Sequence, residues 1–232
     1  MNDIRFILAS QSPRRRELLG LLGYPYECVI SGADEEAHIE AGPAIYVLRT
    51  AQHKAELVAA AETAIQTTEP GAFRDDGRRL VIAADTTVAL AGEILGKPRD
   101  AAEARQMLSA LAGRTHEVHT GLCVVEPAAG RELSAVHTAA VTMRAYRPDE
   151  INAYVATGDP LDKAGAYAIQ HPAFSPVARL DGCYLGVMGL SLCELILLLR
   201  RLDVPTRAER AALAAAHQGY PCPILDSLWW EA

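Results

Sequence analysis

Segments that read as strands and segments that read as helices alternate along most of this chain, and that alternation predicts an α/β fold. "IRFILAS" (4–10) reads as a buried strand running into a helix, and "YECVIS" (26–31) as a second strand. "PAIYVLRTAQHKAELVAAAETA" (43–64) is a long helix begun at Pro43 after Gly42, and a polar loop (66–79) precedes the strand "LVIAAD". Asp100 and Glu103 give a capping-box-like start to "DAAEARQMLSALAG", which Gly113 stops. "THEVHTGLCVVE" and "ELSAVHTAAVTMRAY" read as strands around the turn "PAAG", and "PDEINAYVATG" as a short helix. Ser191 and Glu194 are expected to cap a helix over 192–202.

A chain of 232 residues, half of them hydrophobic, can bury one substantial core or a core split between two lobes. A formal net charge of −7 excludes the broad basic surface that a nucleic-acid polymer or an anionic membrane would require. No apolar run is long enough to span a membrane, and Arg5 and Arg14 to Arg16 interrupt any N-terminal leader. The five cysteines are odd in number and form no C-x-x-C pair, so neither a disulfide framework nor a zinc site is expected. A reducing, cytoplasmic location is. After Thr206 comes an alanine-rich helix candidate and then "YPCPILDSLWWEA", read as an appendix (206–232) that packs on the surface or on a partner, with Trp229 and Trp230 filling an apolar contact.

Against this background "LASQSPRRRELLGLLG" (8–23) is an oddity. Ser12 is suited to an N-cap and Pro13 to the first helical position, with Leu18, Leu19 and Leu22 as the buried stripe. Arg14, Arg15 and Arg16 then crowd the first turn, where the helix dipole disfavours each cation by roughly 0.3–1 kcal/mol. A small anion bound there would reverse that cost.

Other residues also carry chemistry. In the long helix Val47, Ala51, Ala55 and Val58 share one side, and Lys54 falls on it, where by itself it reads as a lysine snorkelling along the edge of that face. Asp85 ends a branched apolar run, as a carboxylate near the end of a buried strand or as the cap of a turn with Thr86 and Thr87. "GEILGKP" around Lys97 is no P-loop: only three residues separate its glycines and Pro98 follows the lysine. "DPLDKAGAYAIQ" (159–170) is either a tight turn or a close approach for a ligand, and its Gln170 amide can read a base edge. His116 and His119 point to opposite faces of a strand and do not suit one metal.

Taken in order, "LASQSPRRRELL", "SGADEE", "AQHKA", "AADTTV", "LGKP", "LAGRTHEVHTG", "DKAGAYAIQ" and "DGCYLGVMGL" closely resemble the Maf family of nucleoside triphosphate pyrophosphatases over roughly residues 4–202, leaving 1–205 as the enzyme domain. The resemblance implies an elongated mixed β-sheet with flanking helices and two lobes around a cleft, related to inosine triphosphatases. It implies hydrolysis of a nucleoside triphosphate to the monophosphate and pyrophosphate with a divalent cation (Mg²⁺, Mn²⁺ or Co²⁺). It places phosphate-binding and catalytic roles on Ser12, Arg14, Arg15, Glu35, Lys54, Asp85 and Lys97, with Asp85 as proton acceptor and Glu35 and Asp85 as metal ligands. Base selection falls on Arg14, Thr86 and Gln170. The "DKAGAYAIQ" form resembles the dTTP/UTP branch; the alternatives are the 7-methyl-GTP branch and a nucleotide-binding regulator of septum formation. "HPAFSP" after Gln170 departs from the family's usual glycine-containing run, and Ser191 stands where a proline is common. A homodimer is suggested by the resemblance alone.

Overall fold

The computed structural model describes residues 4–33, 41–68 and 77–229. Glu35 and Trp230 lie outside them. The elements follow in the order β1 (Ile4–Leu8), α1 (Pro13–Gly20), β2 (Tyr26–Cys28), α2 (Pro43–Thr68), β3 (Arg78–Leu90), β4 (Glu93–Leu95), α3 (Ala101–Leu111), β5 (Thr115–Glu126), β6 (Arg131–Met143), α4 (Pro148–Ala156), β7 (Val177–Asp181), α5 (Tyr184–Met188), α6 (Leu192–Arg201), α7 (Arg210–Ala216) and α8 (Pro223–Ser227). The strands form one seven-stranded sheet of order β2-β1-β3-β5-β6-β7, with β4 also paired to β3. β1 runs parallel to β2 and β3, while β3, β5, β6 and β7 pair antiparallel in turn. The expected mixed sheet with flanking helices is what forms.

Alternation along β3 assigns its side chains to two faces. Val81 and Ala83, with Ile7 and Cys123, pack under Ala51, Ala55 and Val58 of α2. Leu80, Ile82, Ala84 and Val88 face the larger core, which also takes in Leu18, Leu19 and Leu22 beside α1 and the apolar face of α6. By the same count Asp85 faces α2 and Thr86 faces the opposite side.

The register creates an opening. β1 pairs with β3 only as far as Leu8 opposite Ile82, and β4 takes up the same edge at Leu95 opposite Val88. Between those points this edge of β3 meets no strand among the described residues. Asp85 is therefore near the middle of a 13-residue strand, not at its end, and Thr86 and Thr87 continue the strand instead of turning with it. The branched run Thr86-Thr87-Val88 and the ladder to β5 carry the chain on, and the turn waits until Ala91 and Gly92.

Local capping follows the sequence in part. Ser12 caps α1 by accepting from the Arg15 N–H at 3.4 Å, with Pro13 behind it. Asp100 caps α3 by accepting from Ala102 and Glu103, but Glu103 reaches back to the N–H of Arg99 instead of Asp100. Ser191 occupies the N-cap position of α6 without making a side-chain cap bond; it is fully buried and its Oγ has no partner among the described residues.

The segment after 205 packs more deeply than a surface appendix: Leu213, Cys222, Leu225 and Leu228 join the main core, with Trp229 against it. Folding back in this way, it brings Cys222 and His217 to Cys183 and Cys193. With no C-x-x-C pair in the sequence, nothing there hinted that these four ligand-type side chains would come together. Among the described residues no helix is long and apolar enough to cross a membrane.

Candidate active site

The opening beside β3 leads into a cleft of about 960 Å³, and Ser12, Arg14, Arg15, Lys54, Asp85, Thr86, Lys97 and Gln170 all line it. Five separate segments supply these residues, α2 among them with Lys54. α1 presents its N-terminus, β3 its bare edge, the loop after β4 contributes Lys97, and the loop after α4 contributes Gln170.

At the floor, Lys54 Nζ donates to Asp85 Oδ1 at 2.7 Å, and both side chains are buried. The lysine stem does not snorkel to solvent; it crosses from α2 to the sheet and ends on the carboxylate. Helix side chains lean toward their own N-terminus, which lets Lys54 reach a strand residue lying under the preceding turns. The approach of α2 depends on Gly121, the β5 residue paired with Asp85. A Cβ on Gly121 would lie 2.2 Å from the Val47 carbonyl oxygen, so the helix backbone rests directly on the sheet.

The other side of β3 holds Arg15 in place. Its Nε donates to the Gly189 carbonyl at 2.8 Å, while Nη1 and Nη2 reach Ser10 Oγ and Thr86 Oγ1, each at 3.4 Å. Thr120 Oγ1 donates to the Gly186 carbonyl at 2.8 Å, which commits its single proton. The 3.0 Å contact between Thr86 and Thr120 is then donated by Thr86, whose other acceptor, the Gly189 carbonyl, is farther away at 3.4 Å. The chain of bonds Arg15 to Thr86 to Thr120 to Gly186 fixes one guanidinium of the triple-arginine turn before any ligand arrives. Gly189 sits at φ 123°, a conformation that favours glycine, and this turns its carbonyl toward Arg15.

Arg14 is half-buried and Arg16 exposed. Among the described residues, the side chains of Arg14, Lys97 and Gln170 make no hydrogen bond or ion pair, so they are among the polar groups the cleft offers to a ligand. Lys97 is exposed, and its loop is tied down by the Gly165 N–H donating to the Gly96 carbonyl at 3.0 Å. The stretch 159–166 forms two short 3-10 turns, so its sequence encodes a tight turn as well as a cleft wall. Beyond Gln170, His171 Nδ1 accepts from the Phe174 N–H at 3.0 Å and its ring packs on Tyr154 at 4.7 Å. "HPAFSP" is thereby fastened to α4.

His116 and His119 are apart, as strand geometry requires: His116 Nε2 meets Tyr167 Oη at 2.8 Å and His119 Nδ1 meets Thr138 Oγ1 at 2.9 Å. Burial pushes the His116 imidazole down to about 4.

The sequence model of the family described as "Maf-like protein" matches residues 5–202. This chain belongs to the Maf family. Among its relatives, a protein of Anaeromyxobacter sp. (strain Fw109-5) named "dTTP/UTP pyrophosphatase" is 48% identical, over 87% of this chain and 91% of that one. Proteins of the same name from Geotalea uraniireducens and Deinococcus radiodurans are 45% and 44% identical, covering 84% and 86% of this chain and 94% of each relative. Among solved structures, the Ham1 protein of Staphylococcus aureus aligns with a TM-score of 0.41 at 17% identity, over 61% of this chain and 72% of that chain.

Two groups that this Maf chain sets at the cleft wall or behind it went unmarked in the sequence: Lys163 lines the cleft, and Thr120 is buried behind Thr86. Thr120 lies in the strand stretch "THEVHTG", where nothing local shows that its hydroxyl will meet Thr86; only the β3–β5 register does. Lys163 has its buried ammonium bound to the Asp159 carbonyl and to the carboxylates of Asp159 and Asp162. Its place in "DKAGAYAIQ" beside two aspartates was the available signal.

Proposed function

We propose that this chain is a nucleoside triphosphate pyrophosphatase that converts dTTP and UTP to the monophosphate and pyrophosphate. The observation that carries the reading is the buried Lys54–Asp85 pair, set on the bare edge of β3 in the same cleft as the cations of α1 and Lys97. The names of the relatives support the substrate class.

The chain's own residues divide the work by chemistry. The α1 N-terminus offers backbone N–H groups and a positive dipole end, and Arg14 and Arg15 add charge-assisted donors, which together suit a polyanionic triphosphate. Lys97 reaches the same phosphates from the facing loop. Asp85, bonded to Lys54, would orient water and take its proton. Substitution at phosphorus asks mainly for positioning and charge stabilisation, and the cleft is built for that.

The donor chemistry fits a hard divalent cation: Asp85 offers carboxylate oxygen, and Glu35, the second expected ligand, lies outside the described residues. A bound Mg²⁺, Mn²⁺ or Co²⁺ would supply neutralisation of the phosphate charge and polarisation of the α-phosphoryl group. At the base end, the Gln170 amide offers the paired donor and acceptor that the imide edge of uracil or thymine requires. Thr86 gives its proton to Thr120 but keeps acceptor capacity. Five cysteines without a disulfide among them support a reducing, cytoplasmic setting.

The test is pyrophosphate release from dTTP, UTP, CTP, GTP and 7-methyl-GTP, each with Mg²⁺, Mn²⁺ or Co²⁺. The expected order places dTTP and UTP first, and Asp85→Asn loses roughly 10²–10⁴-fold in kcat while still binding nucleotide. A lead for either guanine nucleotide removes Gln170 as a pyrimidine reader. Near-normal turnover by Asp85→Asn removes the proton-acceptor role.

A further inference from the structure

We propose that Cys183, Cys193, His217 and Cys222 form a structural zinc site that fastens the segment after residue 205 to the enzyme core. The four side chains are buried, and one ligand atom from each lies within 4.8 Å of all the others. Cys183 Sγ is 3.5 Å and Cys193 Sγ 3.7 Å from His217 Nε2, and the Cys193 and Cys222 sulfurs are 3.9 Å apart. A tetrahedral zinc with ordinary Zn–S and Zn–N bonds has S···S edges of about 3.8 Å and S···N edges of about 3.6 Å. These three separations match those edges, and the Cys193–Cys222 distance is far too long for a disulfide.

The imidazole is set for ligation. His217 Nδ1 lies 2.7 Å from the Leu213 carbonyl, which can only accept, so Nδ1 carries a proton and Nε2 is the ring nitrogen turned toward the sulfurs, the one that would ligate in the neutral ring. A backbone carbonyl on the far ring nitrogen is a common way to orient a metal-bound histidine. Three soft sulfurs and one imidazole nitrogen select zinc over the oxygen-seeking Mg²⁺ or Mn²⁺. Four protein ligands close the coordination shell, which marks a structural site and separates it from the cleft chemistry. Loading converts three thiols to thiolates and releases three protons.

Two ligands come from the α5–α6 region and two from the tail, so the ion would join parts of the chain that no C-x-x-C pair links. The spacing is C-x9-C-x23-H-x4-C. The clamp also bears on the cleft, because Cys183 precedes α5, and the carbonyls of Gly186 within that helix and Gly189 just after it hold Thr120 and Arg15.

The test uses full-length protein. Elemental analysis should find about one zinc per chain, lost in Cys222→Ser and His217→Ala, the expected stoichiometry of a closed site. Loading metal-stripped wild type with Co²⁺ should give thiolate-to-cobalt charge-transfer absorption, which Co²⁺ at the oxygen donors of the cleft cannot produce. Stripping should lower the Tm and added Zn²⁺ should restore it. If the variants fail to fold, the cobalt spectrum of the wild type decides alone. Wild type that neither holds zinc nor shows that spectrum overturns the proposal, as does a Cys193–Cys222 disulfide in zinc-free protein or zinc retained in folded Cys222→Ser.

Discussion

Gly121 and Val47 touch through their backbones: the space a side chain on Gly121 would fill is taken by the Val47 carbonyl, 2.2 Å from an ideal Cβ. That contact seats α2 on the sheet beside Asp85, the ladder partner of Gly121. Gly121→Ala must lift the helix, and Lys54 with it. Overpacking of this kind costs about 1–3 kcal/mol, and here the obstacle is backbone that cannot rotate away. Each kcal/mol should lower the Tm by roughly 2–4 °C in a chain of this size. Turnover should fall at temperatures where the variant is still folded. Wild-type melting together with wild-type kcat would show that α2 is not seated at this glycine.

Arg15→Lys tests the fork at the α1 N-terminus. The guanidinium reaches Gly189, Ser10 and Thr86 in three directions, which a single ammonium cannot reproduce. Charge is kept, so long-range attraction for a triphosphate stays. Loss of charge-assisted contacts worth about 1.5–3 kcal/mol should reduce kcat/KM roughly ten- to a hundredfold. Full activity in Arg15→Lys would mean that charge alone matters here.

Much of this was legible in the sequence, and the divisions have physical causes. Strand and helix periods, the Ser12–Pro13 cap and the buried side of α2 depend on neighbours within one or two turns, so local pattern reports them. The length of β3 was hidden because Thr86 and Thr87 suit a turn as well as a strand; the ladder to β5 decides it. Ser191 has a capping residue's chemistry, but burial without a cap bond is a tertiary outcome. Cys183, Cys193, His217 and Cys222 are too widely spaced for any short motif, and only the return of the tail assembles them.

Lys97 and Lys54 should separate function from stability. Lys97 is exposed and makes no ion pair among the described residues, so Lys97→Ala should melt like wild type. Its kcat/KM for dTTP should fall roughly ten- to a hundredfold through loss of a charge-assisted phosphate contact. Lys54 is buried against Asp85, and Lys54→Met keeps the stem but strips the carboxylate of this ammonium. Breaking a buried pair costs on the order of 3–5 kcal/mol, so this variant should lose both stability and turnover. Equal, purely kinetic losses in the two variants would contradict the buried pairing.

His116 gives the fold an acid limit independent of the catalytic carboxylate. It is 2% exposed, its Nε2 is bonded to Tyr167, and its Nδ1 has no partner among the described residues. Burial lowers it from 6.5 to about 4 in the folded chain. Above pH 6.5 the ring is neutral in both states and its contribution is constant. As pH falls from 6.5 toward 4 the unfolded chain takes up a proton that the folded chain refuses, so stability is lost across that window. The full difference is worth about 3 kcal/mol, and burial of His137, lowered in the same direction, adds to the slope. Carboxylates contribute an acid slope as well, but it is common to wild type and to His116→Phe. Urea denaturation at pH 7, 5.5 and 4 should therefore show wild type losing about 3 kcal/mol more than His116→Phe over that range. Parallel losses in the two chains would mean that His116 accepts its proton in the folded state.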